Sequence, residues 1–128
     1  MPELPEVEVI RIGLLPLLVG KRIVTIRHSG KSLRTPVPLA KMQKILINAV
    51  ITDIQRRAKY LLFPTDHDDL LIIHLGMTGK LGVCPPELPE AKHDHLFFVL
   101  DDGKELRYHD TRRFGSMHVI PRKDREAE

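Results

Sequence analysis

Apolar residues recur at helical spacing near the start of the chain and at strand spacing through most of the remainder. From Glu3 to Leu18, the residues Leu4, Val7, Ile10, Leu14 and Leu17 fall on one stripe of a helix, which Pro16 frays and Gly20 stops. That stripe is expected to lie on the core and so to fix the position of the residues just before it. Residues 21–28 set Arg22, Val24 and Ile26 against Ile23 and Thr25, an alternation that predicts a strand. Ser29-Gly30-Lys31 is a turn and Thr35-Pro36-Val37-Pro38 a loop; Leu39 to Ile47 is a short second helix directing Met42, Ile45 and Leu46 inward. Short strands follow at Ala49–Arg56, Ala58–Phe63, Leu70–Leu75, Lys80–Cys84, His95–Leu100, Glu105–His109 and Gly115–Ile120. Thr65–Asp69 and Asp101-Asp102-Gly103 are hairpin connections, and the proline-rich Pro85–Lys92 is an exposed loop. Many short strands with few helices imply an antiparallel sandwich or barrel.

Composition narrows the class. A chain of 128 residues fits one domain with a real core, and 42% hydrophobic with 29% charged residues is a globular balance. No apolar run reaches the ~18 residues that a membrane span needs. Acids near the N-terminus, where a signal peptide carries bases, argue against secretion. The single Cys84 excludes an internal disulfide and a multi-cysteine zinc site, suits a reducing cytoplasm, and is expected to be a packing residue. The net charge of +3 is mild, but its distribution is uneven. Lys21-Arg22, Arg27 with Lys31 and Arg34, Arg56-Arg57 with Lys59, Arg112-Arg113, and Arg122-Lys123 with Arg125 form local clusters, each readable as a nucleic-acid contact or as a solvated face.

The chemistry concentrates at the start, Met1-Pro2-Glu3-Leu4-Pro5-Glu6-Val7-Glu8. An initiator Met before the small Pro2 is the kind that aminopeptidases trim, which leaves the secondary amine of Pro2 as the N-terminus. An α-amino group titrates near ~8, so a useful fraction is an uncharged nucleophile at neutral pH. A secondary amine adding to an aldehyde-like carbon gives a cationic iminium, which favours elimination at neighbouring carbons. Glu3 and Glu6 stand on one face of a helical turn, one placed to donate a proton while the other stabilises positive charge. Taken singly, the same prolines and acids are also ordinary helix-start signals. Two further stretches stand out: His74-Leu75-Gly76-Met77-Thr78-Gly79-Lys80 sets a methionine between glycines at an expected hairpin tip, and His109-Asp110-Thr111-Arg112-Arg113-Phe114-Gly115 sets two arginines and a phenylalanine in a turn. Met77 folded over an edge and Phe114 pointing into the core are the structural alternatives.

Residues 1–8 resemble, residue for residue, the start of the formamidopyrimidine-DNA glycosylases, bacterial base-excision enzymes that remove oxidised purines and nick the strand. Arg56-Arg57-Ala58-Lys59-Tyr60-Leu61-Leu62-Phe63 is similar to the family's strand whose lysine reaches the lesion and its phosphate, with Ala58 where the family usually has Gly; Lys92-His93-Asp94-His95 is similar to the stretch before its next strand. The resemblance implies an α+β, mainly β fold, an antiparallel β-sandwich of about eight short strands flanked by two helices. It implies that Pro2 attacks C1′, that Glu3 is the general acid, that Glu6 orients the sugar or stabilises the cation, and that Lys59 assists. An enzyme reaches a base inside a duplex only by flipping it out, and apolar wedges with a guanidinium suit the gap left behind. By resemblance, Met77, Arg112 and Phe114 fill that gap, and His74, His93 and Arg113 contact the DNA. Thr111, where the family commonly has Pro, leaves the second loop less rigid.

The implied activity is that of a bifunctional DNA N-glycosylase and AP lyase working through a Schiff base and β,δ-elimination. Damaged double-stranded DNA is the expected partner, with no membrane, for a monomer in the bacterial cytoplasm at the nucleoid. His93 and His95 form a His-x-His pair, but no third or fourth ligand is evident, so no metal or organic cofactor is expected in residues 1–128. The family's helix-two-turn-helix and zinc-finger region, with the only zinc, would follow Glu128. Two other readings stay open: a fragment that keeps the fold and binds DNA without turnover, and an endonuclease VIII-like preference for oxidised pyrimidines.

Overall fold

The computed structural model describes residues 4–30, 33, 36–113 and 115–121. Helix α1 (Leu4–Leu18) places Val7, Leu14 and Leu18 in the core, with Ile10 partly covered. Leu17, expected inside, is 39% exposed, because at 100° per residue it lies about 80° off the line through Val7, Leu14 and Leu18. Gly20 ends the helical stretch at φ 87°. In β1 (Ile23–His28) the expected alternation is reset by a bulge between Ile23 and Thr25, so Ile23 and Ile26 face the core while Val24 is exposed. Helix α2 (Leu39–Leu46) buries Met42 and Leu46, as its spacing predicts.

All the strand pairings are antiparallel, and the strands form two four-stranded sheets. The first runs β1-β6-β7-β5, with β6 (Asp94–Leu100), β7 (Glu105–His109) and β5 (Lys80–Cys84); the second runs β2-β3-β4-β8, with β2 (Gln55–Arg57), β3 (Tyr60–Pro64), β4 (Leu70–His74) and β8 (Ser116–Ile120). The architecture is thus the mainly β sandwich with two helices. Leu61, Phe63 and Ile73 from one sheet and Leu96, Phe98, Leu106 and Tyr108 from the other belong to one buried cluster. Phe97 alternates outward, yet it is only 1% exposed because the Arg27 and Arg107 guanidinium groups lie 4.0 and 5.6 Å from its ring centroid.

Two expected strands differ. Ala49–Arg56 is not continuous: Val50 and Ile51 form isolated bridges, and regular pairing starts at Gln55. Aspartates intervene there, since Asp66 accepts the Val50 N–H and Asp53 the Ile54 N–H, both at 2.8 Å. Ala58 and Lys59 are not strand residues but the two-residue turn joining β2 to β3, with Arg57 opposite Tyr60 and Ala58 at φ 54°. Among the described residues no helix is long and apolar enough to cross a membrane.

Candidate functional site

The stretch around Met77 is not a hairpin tip. β4 and β5 lie in different sheets, so residues 75–79 cross from one sheet to the other, and residues 110–115 cross back between β7 and β8. Because β4 pairs with β8 and β5 with β7, with His74 opposite Ser116 and Lys80 opposite His109, both crossovers emerge at the same end of the sandwich. Gly79 and Gly115 answer to packing at that end. A Cβ on Gly79 would lie 2.1 Å from the Leu75 carbonyl oxygen, and one on Gly115 would lie 1.7 Å from the Tyr108 hydroxyl.

Asp110 joins the crossovers. Its side chain is fully buried and accepts four hydrogen bonds: Oδ1 from the Thr78 hydroxyl at 2.7 Å and the Arg113 N–H at 3.0 Å, Oδ2 from the Tyr108 hydroxyl at 2.7 Å and the Gly115 N–H at 2.9 Å. Burial pushes this carboxyl up, but the Thr78 and Tyr108 hydroxyls and the two N–H groups outweigh it and hold the group below the usual aspartate range. Tyr108 is pushed well above an ordinary phenol by burial and by the same carboxylate. The Asp110 N–H donates to the His93 carbonyl at 3.0 Å, and its own carbonyl accepts from His95 Nε2 at 2.7 Å. The second loop, which lacks a proline at Thr111, is therefore constrained by a carboxylate instead.

On this frame Met77 is 40% exposed, and Arg112 Nη1 approaches its sulfur at 3.7 Å. The Arg112 N–H donates to the Thr78 hydroxyl oxygen at 3.1 Å. Arg113 is exposed, with φ 59°. A cavity of about 420 Å³ lies between α1 and the Met77 crossover, lined by Glu6 and Ile10 of α1 and by Met77, Thr78, Gly79, Lys80 and Leu81. Its wall carries a carboxylate, an ammonium, a methionine and a hydroxyl, so it can enclose a planar group while offering charge of both signs at its rim.

Two residues beyond Glu6 and so on the far side of α1, Glu8 fixes the helix to the second sheet. It accepts from Arg11 Nε and Nη2 at 2.9 and 2.7 Å and from Arg56 Nε at 3.0 Å, and hydrogen bonding from Arg11 and then Arg56 brings its carboxyl down to about 2. Arg56 also donates to the Ala58 carbonyl at 3.1 Å, so the same network braces the turn that presents Lys59. Next to that turn, Tyr60 pairs with His74 across the strands, their ring centroids 4.7 Å apart.

The structure thus gathers Glu6, Met77, Arg112 and Arg113 around one end of the sandwich, sets Lys59 beside the strand pair that carries His74, and ties His93 to the Asp110 backbone. Pro2, Glu3 and Phe114 lie outside the described residues, as do Lys31, Arg34 and the basic residues of the tail. Three basic clusters are partly spent on structure: Arg27 pairs with Glu90, Arg56 with Glu8, and Lys21 with Asp102. Cys84 is half-buried, and burial raises its thiol pKa, which suits packing. No group of three metal-ligating side chains occurs among the described residues. Thr78, Tyr108, Asp110 and Glu8 were not legible as site residues. An Asp that opens a turn is a signal for backbone capping, but nothing local says that its other oxygen lobe reaches a second loop.

The sequence model of the formamidopyrimidine-DNA glycosylase N-terminal domain matches residues 1–117. The chain belongs to the formamidopyrimidine-DNA glycosylase family. The Magnetococcus marinus formamidopyrimidine-DNA glycosylase is 46% identical over 128 residues, 100% of this chain and 46% of that protein. The Lactococcus lactis formamidopyrimidine-DNA glycosylase, non-covalently bound to DNA containing an AP site, is similar with a TM-score of 0.84 at 36% identity, over 92% of this chain and 45% of that one. A protein named MutM, in complex with DNA containing carbocyclic 8-oxo-G, gives 0.85 at 37% identity, over 93% and 44%. The chain therefore spans about half the length of the glycosylases it matches. Within this formamidopyrimidine-DNA glycosylase domain, the motif residues around Met77 and Arg112 all fall inside the matched stretch and meet at one end of the fold.

Proposed function

We propose that this chain is the catalytic domain of a bifunctional glycosylase and AP lyase that removes oxidised purines from double-stranded DNA in the bacterial cytoplasm. The observation that carries this reading is the cavity between Glu6 of the N-terminal helix and the Met77 loop, flanked by Arg112. It joins an acid next to the nucleophile's expected position with the side chains suited to replace an extruded base. In this reading the Pro2 nitrogen bonds to C1′ as the glycosidic bond breaks and the base departs with a proton, delivered by Glu3. Ring opening gives an iminium, and loss of the 3′ and then the 5′ phosphate completes the nick. Glu6 stabilises the cation at the cavity wall, and Lys59 engages the phosphate beside the lesion. Met77, Arg112 and Phe114 occupy the vacated space, while His74, His93 and Arg113 grip the backbone. Arg112 and Arg113 support this assignment because neither enters an ion pair with a described residue.

Borohydride trapping tests the proposal. The chain, shown by intact mass to have lost Met1, is incubated with an 8-oxoguanine duplex, an abasic duplex and a thymine glycol duplex, with Pro2→Gly as control. Crosslinks to the first two that Pro2→Gly weakens or redirects are expected. A crosslink to the abasic duplex alone confines these residues to the lyase step, preferential trapping on thymine glycol assigns pyrimidine lesions instead, and no crosslink at all refutes catalysis by this chain.

A further inference from the structure

The two crossovers are joined by a single hydroxyl. Thr78 Oγ1 donates to Asp110 Oδ1 at 2.7 Å and accepts the Arg112 N–H at 3.1 Å, so one atom holds the residue next to Met77, the backbone of Arg112 and the buried carboxylate together. Every lobe of that carboxylate is used, one hydroxyl and one N–H on each oxygen. The carboxylate cannot shift without breaking bonds to β7 and to both crossovers. By comparison, the contact of Arg112 with the Met77 sulfur, at 3.7 Å and exposed, is a weak acceptor interaction that holds little. The backbone beneath is equally fixed: Asp110 is bonded through its N–H to His93 and through its carbonyl to His95, and Gly115 is pressed on the Tyr108 hydroxyl.

We propose that Thr78 and Asp110 are positioning residues that lock the Met77 and Arg112 loops into one body, so that both side chains enter the duplex together. The inference rests on the proposed reading of Met77 and Arg112 as wedges. Loops that moved separately would each lose conformational freedom on binding; joined beforehand, they lose it once, during folding. The hydroxyl is what matters, since valine matches threonine in shape but neither donates nor accepts.

The test uses a duplex with an abasic site analogue and 2-aminopurine as its neighbouring base, at saturating protein. The fluorescence rise at saturation reports how far the neighbour is unstacked and is insensitive to affinity. Thr78→Val is expected to lower the ratio of complexes with both wedges inserted to those without by about tenfold or more, the worth of one hydrogen bond to a charged group. Thr78→Ser should restore the rise, and in a Met77→Ala background Thr78→Val should change nothing further. Should Thr78→Val not fold by circular dichroism, Thr78→Ala lacks the same hydroxyl without burying a new methyl, and the same outcomes decide. A full rise in the hydroxyl-free variant overturns the locking. Additive losses in the Met77→Ala background overturn it too. No rise with the unmodified chain overturns the wedge reading itself, and the inference with it.

Discussion

Ala58 occupies a backbone position suited to glycine, and replacing it tests whether the turn under Lys59 is as described. At φ 54° an alanine is on the left-handed side, where its Cβ crowds the following carbonyl at a cost of about 1–2 kcal/mol. Glycine removes that cost but adds freedom to the unfolded chain, worth about 0.4–1 kcal/mol in the opposite direction. No cavity term enters, because Ala58 is exposed. The Arg56 bond to the residue-58 carbonyl is a backbone contact and survives the change. Ala58→Gly should therefore stabilise the domain by about 0.5–1 kcal/mol, the difference of the two effects. For a domain of this size that corresponds to a rise in Tm of about 2–5 °C. Urea denaturation at neutral pH and a thermal melt measure it directly. A loss of about 0.5–1 kcal/mol, the usual result for glycine inside regular structure, would show that residue 58 continues the strand and that Lys59 is not on a turn.

Other substitutions probe the frame of the site. Asp110→Asn turns one acceptor into an NH2 group facing two donors and should cost about 2–4 kcal/mol by urea denaturation at pH 7. Because Asp110 titrates below the unfolded aspartate value of about 3.9, this stabilisation is complete above that value and is lost as pH falls through the lower folded pKa. The deficit of Asp110→Asn should accordingly be constant from neutral to mildly acid pH and shrink in strong acid; a deficit that grew on acidification would contradict the sign. Gly115→Ala brings a methyl within 1.7 Å of the Tyr108 hydroxyl and should cost about 3 kcal/mol, with only partial recovery in Gly115→Ala/Tyr108→Phe because the His74 carbonyl oxygen remains 2.6 Å away. Full recovery would mean the backbone contact is not made. Glu8→Gln should lower Tm slightly at low salt, and less at about 1 M salt, where exposed charges are screened. Its gap to the unmodified chain should close as pH falls toward about 2; a gap independent of both salt and pH would leave the Arg11–Glu8–Arg56 network without a role.

The sequence was most informative where side-chain period alone decides structure. β5 and β7 run over the very residues expected as short strands between turns, Lys80–Cys84 and Glu105–His109, and Met42 and Leu46 are buried on α2 as their spacing requires. It misled where one local event shifts the period, as at the Ile23–Thr25 bulge, or where a helical stripe is narrower than its apolar content, as at Leu17. Ala58 shows a different limit: alternation continues through it unbroken, and only the pairing of Arg57 with Tyr60 reveals a turn. For the site, Glu6, Met77 and Arg112 were legible as residue types, but not their proximity. Which sheet a strand joins depends on partners far away in sequence, so two crossovers looked like two separate turns. Asp110 and Thr78 escaped notice for the same reason, because their value lies in each other.

Among the described strands β8 follows the other seven in sequence and is paired with β4. Until it is, β4 is an open edge with Leu70, Leu71, Ile72 and Ile73 in a row, a surface on which another extended chain can add. Arg112 lies 35 residues after Met77, on the segment that joins β7 to β8. Synthesis therefore completes seven strands of this sandwich before it completes the loop pair. Substitutions in β8 at Met117 or Val119, neither of which lines the cavity, should therefore slow the pairing of β8 with β4 far more than that of the strands already paired, and with it the closing of the open edge.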